Sequence, residues 1–318
     1  MADLDGTSAE KNDKEYFTGI PQSKPDFFLK GSHQYDWGLQ NRLAHIFNPV
    51  SGRTIMLAFD HGYFMGPTTG LERVDQTILP LEPYCDCLML TRGIQRSIIP
   101  ASTQKAIALR ASGGTSMVSA GDDWEGEIAG QPATLSRPGY EPLSNEHLAV
   151  DINEAIRLNA SVLAVQVFIG SQYERQSLQN LTNLIDAAAG YGIAVMGVVA
   201  VGRAMERTVK YFRMATRLMA ELGCHMVKCY HIEDGFDTIT SCCPVPIVIA
   251  GGKKRPERDA LQMAYDACQE GASGVDMGRN IFQADAPVPM MRAVRGVVHE
   301  GMNAKDAYAL YEQLKAEG

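Results

Sequence analysis

The chain has 318 residues, of which 45% are hydrophobic and 21% charged, with a formal net charge of −8. This is the composition of a globular protein with a sizeable core, and the length suits one large α/β barrel of about 250 residues plus additions. The acidic balance excludes broad electrostatic capture of nucleic acid or of an anionic membrane, but allows a local cationic pocket.

Residues 1 to about 25, beginning MADLDGTSAEKNDKEYF, are polar and acidic, with no apolar stretch of the kind that opens a secretory signal. The chain has seven cysteines, an odd number, and no CxxC pair. Reduced thiols in the cytosol are therefore expected, with no zinc site or other metal. No run of eighteen apolar residues occurs, so no transmembrane helix is expected. Residues 34–48 place Trp37, Leu39, Leu43 and Ile46 near helical spacing, which predicts a short helix capping one end of a barrel.

From residue 54, short apolar runs alternate with helical stretches. The runs are 54–60, 85–91, 105–112, 161–170, 194–200, 225–230, 245–252 and 274–280. Strand–helix alternation implies a parallel sheet. Eight units suggest a closed (β/α)8 TIM barrel, although an open doubly wound sheet gives the same alternation. No GxGxxG turn follows the first run, which argues against dinucleotide binding on an open sheet. The organisation expected is an N-terminal helical extension over 1–50 and a barrel over 51–318. A long Gly-, Pro- and Ser-rich insertion, 113–146, follows strand three at the active-site end. Such a loop is a lid, an interface element or disordered, and its Trp124 either covers substrate or meets a neighbouring subunit.

Side chains alternate along a strand. In the fourth run Gln166 and Phe168 share the face opposite Leu163, Val165 and Val167, so they are expected inside, near the C-terminal mouth. The same alternation turns Asp60 and Lys228 inward. An inward Asp and Lys form either a structural ion pair or reaction machinery, and charges at the C-terminal ends of barrel strands favour the second. A lysine desolvated by an apolar wall becomes a nucleophile that condenses with a ketone, and a carboxylate such as Asp60 can carry protons or hold a substrate hydroxyl. His61 is either catalytic or packs the loop, since alternation turns it away from Asp60. Gly251-Gly252-Lys253 and Gly278-Arg279-Asn280 end the seventh and eighth runs, where barrel enzymes often bind phosphate; the alternative is two ordinary glycine turns.

Taken together, FDHGYF (59–64), GPTTGLER (66–73), QVFIGSQYE (166–174), MVKCY (226–230), CPVPIVIAGGKK (243–254) and GASGVDMGRNIFQ (271–283) resemble the class I, Schiff-base aldolase family. That family joins archaeal-type fructose-bisphosphate aldolases with the phospho-autoinducer-2 thiolases, and the wording is nearest the thiolase branch. The resemblance implies a Schiff base on Lys228, a substrate-orienting carboxylate at Asp60, and phosphate contacts from Gly251, Gly252, Gly278 and Arg279. It also implies a small phosphorylated carbonyl substrate, no bound cofactor or metal, and a homo-oligomer such as a decamer. In the thiolase branch an acetyl group passes to coenzyme A as co-substrate and dihydroxyacetone phosphate remains. A fructose-bisphosphate aldolase-like lyase, or a phosphate-ligand binding protein with little turnover, remains the alternative. Two departures stand out: Phe168 occupies a position where the family typically carries an acid/base tyrosine, and the 113–146 insertion is longer than expected.

Overall fold

A computed structural model describes residues 18–21, 27–114, 144–201 and 206–317. Most of the expected insertion, Trp124 included, lies outside the described residues. Eight strands pair in parallel: β1 (Thr54–Ala58), β2 (Cys87–Leu90), β3 (Ala106–Arg110), β4 (Val162–Val167), β5 (Ala194–Val199), β6 (Met226–Tyr230), β7 (Ile247–Ala250) and β8 (Gly274–Met277). They follow chain order, and β8 returns to β1 to close a barrel. Closure removes the open doubly wound sheet from consideration. Every strand is shorter than the apolar run that marked it, because the run ends bend into the turns at the mouth and at the floor.

Alternation along the strands sorts the core into two parts. Ile55, Leu57, Leu163, Val165 and Val167 face outward and pack under helices such as Glu174–Ala189, Val209–Glu221 and Glu257–Gln269. Met56, Met89, Ala164, Met196 and Met226 face inward and fill the cylinder. The N-terminal helix α1 (Trp37–Ile46) adds Leu39, Leu43 and Ile46 to this inner cluster, so it plugs the barrel floor as its spacing predicts. Asp36 caps α1 by accepting from the Leu39 amide at 3.0 Å. Trp37 departs from the expected face and is 79% exposed. It lies two residues before Leu39, about 200° around the helix, and so points away from the core.

Polar side chains tie the strand starts together at the floor. The Ile55 amide donates to Asp86 Oδ2 at 2.7 Å, and His299 bridges that oxygen and Ser51 Oγ, each at 2.8 Å. At the opposite end, Ser112–Gly113 pairs antiparallel with His147–Leu148, a two-stranded ribbon that joins the two ends of the insertion and was not expected from the sequence. Among the described residues no helix is long and apolar enough to cross a membrane.

Barrel closure depends on Gly274, whose φ is +125° and whose place a Cβ would fill 2.0 Å from the Thr54 carbonyl oxygen. Gly274→Ala should therefore lower stability by at least about 2 kcal/mol, measured by urea unfolding. An unchanged midpoint would show that the β8–β1 seam tolerates the methyl group.

Candidate active site

The C-terminal mouth holds a cavity of about 110 Å³. Lys228, Asp60, His61, Gln166, Gly251, Gly252, Gly278 and Arg279 all line it. Phe168 does not: it is buried, but lies one residue beyond the end of β4, where the chain leaves the strand and its amide is held by Ser177 Oγ at 3.0 Å. Strict alternation therefore ceases to apply just before it.

Lys228 stands on β6 between Val198 of β5 and Val248 of β7. The wall is not wholly apolar, as the sequence reading supposed. Lys228 Nζ lies 2.9 Å from Asp276 Oδ2 across the barrel. That contact is not aligned as a hydrogen bond, and among the described residues neither oxygen of Asp276 has an aligned donor. The amine donates instead to Met89 Sδ at 3.4 Å. Burial pushes the Asp276 carboxyl up to about 6, Lys228 pulls it partly back, and the Asp60 charge adds to the rise.

Asp60 sits in a different setting. Arg110, at the end of β3, donates from Nη1 to Asp60 Oδ2 at 2.8 Å and from Nη2 to Glu146 Oε1 at 2.8 Å. Arg110 Nη2 also donates to Tyr63 Oη at 2.8 Å, and the tyrosine hydroxyl donates on to Glu146 Oε1. Ser112 Oγ donates to Glu146 Oε2 at 2.5 Å. Burial acts to raise the Asp60 carboxyl, yet Arg110, helped by His61 and Lys228, holds it below the usual carboxylate range. Asp60 is thus an ionised, oriented acceptor.

His61 does not turn away from Asp60 as alternation implied. Regular pairing ends at Ala58, and residues 60–65 wind through a turn into the short helix Gly62–Met65. His61 Nδ1 therefore comes within 3.9 Å of Asp60 Oδ1, and the ring packs edge-on to Phe282 at 5.8 Å. Burial lowers its pKa to about 4 against the opposing pull of Asp60, so the ring is neutral at neutral pH.

Two glycine turns form the remaining wall. A Cβ at Gly278 would stand 2.1 Å from the Ala58 carbonyl oxygen, and Gly252 has φ +69°, so both turns demand glycine. Asn280 joins them by donating to Gly251 O at 2.6 Å and accepting from the Arg255 amide at 2.7 Å. Arg279 lines the cavity with a buried Nε that has no hydrogen-bond partner among the described residues. Arg207 stacks over the ring of Tyr230, another wall residue, at 4.1 Å.

The sequence reading missed Asp276, Arg110, Glu146 and Tyr63. Asp276 and Arg110 carried a usable signal, since each is a charge inside an apolar strand run, on the inward parity. Glu146 carried none, because only the ribbon brings the far end of the insertion to β3.

Arg110→Met would leave Asp60 and Glu146 buried without their shared cation, at a cost of about 3–5 kcal/mol. Asp60 has a depressed pKa in the folded chain, so its stabilisation is present above the ordinary carboxylate pKa and disappears as pH falls through the folded value. The variant's deficit in urea unfolding should therefore be largest near neutral pH and shrink below pH ~4. A deficit independent of pH would contradict this account.

A model of the DeoC/LacD family of aldolases matches residues 54–284, which span all eight strands. A 3-hydroxy-5-phosphonooxypentane-2,4-dione thiolase of Yersinia pseudotuberculosis is 51% identical over 311 residues, covering 98% of each chain. An uncharacterized aldolase of Pasteurella multocida is also 51% identical over 311 residues, covering 98% of this chain and 99% of that one. Among solved structures, an archaeal fructose 1,6-bisphosphate aldolase shares the fold with a TM-score of 0.69 at 24% identity, covering 83% of this chain and 100% of that one. A fructose-bisphosphate aldolase from Slackia heliotrinireducens does so with a TM-score of 0.71 at 18% identity, covering 87% and 90%. With a family model running through the whole barrel and half-identical relatives of matching length, the chain belongs to the DeoC/LacD family of aldolases and is an enzyme of the class I type.

Proposed function

We propose that this enzyme is a thiolase that acts on 3-hydroxy-5-phosphonooxypentane-2,4-dione through a Schiff base on Lys228, passes an acetyl group to coenzyme A and releases dihydroxyacetone phosphate. The observation that carries the reading is that one cavity holds both the Lys228 amine and the glycine turns with Arg279. The identity to the Yersinia thiolase supports the choice of substrate.

In this reading the glycine turns and Arg279 receive the phosphate ester. Backbone N–H groups approach the anion where no Cβ intervenes, and the guanidinium supplies charge. The substrate's C4 ketone, next to the phosphate-bearing carbon, condenses with Lys228. The resulting iminium draws electrons from the C2–C3 bond. The thiolate of coenzyme A adds to C2, the C2–C3 bond breaks, and its electron pair becomes an enamine across C3 and C4. The acetyl group leaves as the thioester. Protonation at C3 and hydrolysis of the imine return the free amine and release dihydroxyacetone phosphate. Asp60, ionised and fixed by Arg110, accepts a hydrogen bond from the C3 hydroxyl, while neutral His61 and Gln166 complete the polar wall. Phe168, outside the cavity, takes no part in proton transfer. The only other reactant is coenzyme A, used as a co-substrate.

Borohydride reduction in the presence of dihydroxyacetone phosphate should leave an adduct that peptide mass mapping places on Lys228. Lys228→Ala should lower turnover by more than about a thousand-fold while phosphate binding persists. Acetyl-coenzyme A should form only when coenzyme A is supplied. Strong residual turnover in the alanine variant would remove the Schiff base, and cleavage at full rate without coenzyme A would replace the thiolase with an aldolase.

A further inference from the structure

Two carboxylates line the cavity that holds Lys228, and they differ in what already occupies them. Asp60 accepts from Arg110 at 2.8 Å and belongs to a network that also contains Glu146 and Tyr63. Asp276 is fully buried on β8, has no aligned hydrogen-bond donor on either oxygen among the described residues, and lies 2.9 Å from the amine. The amine also donates to the Met89 thioether, a weak acceptor that cannot hold a proton.

We infer that Asp276, and not Asp60, is the catalytic carboxylate that takes a proton from Lys228 and returns it while the Schiff base forms and breaks. The inference rests on the Lys228 chemistry proposed above and assigns its proton carrier. The atoms balance as follows. An ammonium and a ketone become an iminium and water. Asp276 removes one proton from Nζ, which frees the lone pair that forms the N–C bond. A second proton passes from nitrogen to the former carbonyl oxygen as the carbinolamine forms. Asp276 then gives its proton to the carbinolamine hydroxyl, the C–O bond breaks, and water departs. Hydrolysis runs the same steps in reverse.

The surroundings suit this exchange. Besides Lys228 on β6, the titratable groups that interact with Asp276 are Asp60 beyond β1 and Cys87 on β2, and His61, Arg110, Tyr230 and Arg279 line the same cavity. The paired neighbours on β1 and β7 are Met56 and Ala250, which supply no charge. Burial brings the carboxyl up to about 6. A carrier near that value both accepts and releases protons at neutral pH. Asp60 is displaced in the opposite direction by Arg110, and a pair of carboxylates driven apart in this way separates a proton carrier from a fixed anion.

The test reads the rate of the borohydride-trapped adduct with dihydroxyacetone phosphate as a function of pH, in wild type, Asp276→Asn and Asp276→Glu. Inorganic phosphate binding and thermal unfolding are measured on the same samples. Trapping in Asp276→Asn should slow by on the order of a hundred-fold and lose the acid limb near pH 6, while phosphate affinity stays within about two-fold. Asp276→Glu keeps a carboxyl and should recover part of the rate, with the acid limb retained but moved in pH. An adduct formed by Asp276→Asn at the wild-type rate would overturn the inference, and so would an acid limb in Asp276→Glu identical to wild type. Since the adduct needs no acyl acceptor, these outcomes are independent of the coenzyme A step. Absence of an adduct on Lys228 in the wild type would instead remove the proposed function itself.

Discussion

An amine and a carboxylate facing each other inside a closed cylinder of strands form the constraint on which the rest of the molecule depends. Either charge alone would carry a desolvation penalty of several kcal/mol. At 2.9 Å apart, Lys228 and Asp276 offset one another. Sequence neighbours do not create this pair. Lys228 is on β6 and Asp276 on β8, with β7 between them. In a flat sheet, strands two places apart are roughly 10 Å from one another, beyond direct contact for most side chains. Curvature shortens the path across the interior, and the β8–β1 seam at Gly274 maintains that curvature.

The mouth above this pair divides into two electrostatic halves. On the β1–β3 side, Arg110 meets two buried carboxylates and a tyrosine hydroxyl, so its charge is consumed internally and its role is to orient Asp60 and Glu146. On the β7–β8 side, Arg279 has no carboxylate partner among the described residues, and its Nε is buried without an acceptor. A cation held in a partly desolvated wall with an unfilled donor is suited to an anionic ligand. A phosphorylated substrate would therefore lie with its phosphate toward β7 and β8 and its hydroxyl-bearing carbons toward β1.

Much of the fold was legible because the apolar runs are short, β-branched or small, and regularly spaced. The inward assignment of Gln166 and Lys228 held because both lie well inside hydrogen-bonded strands, where alternation is enforced by the pleat. His61 and Phe168 departed because both lie past the last paired residue of their strands, where the pleat no longer dictates direction. Trp37 departed because an apolar residue in the first turn of a helix need not share the buried face. Two further errors were of omission: Asp276 and Arg110 have the same parity as their inward neighbours but were passed over as parts of apolar runs.

By itself, the sequence determined which residues could alternate, where glycine alone is tolerated, and which family motifs the chain carries. Those properties belong to individual residues and to short stretches, and local geometry preserves them in any context. Tertiary structure alone decided which carboxylate meets the amine, which is neutralised by Arg110, and that Glu146 arrives at β3 from the far end of the insertion. Such decisions depend on closure across the barrel and on pairing between segments distant in the chain, so no local pattern encodes them. Two aspartates of the same residue type thus have proton affinities shifted in opposite directions, because burial prevails at Asp276 despite the nearby amine, while the Arg110 guanidinium overcomes it at Asp60.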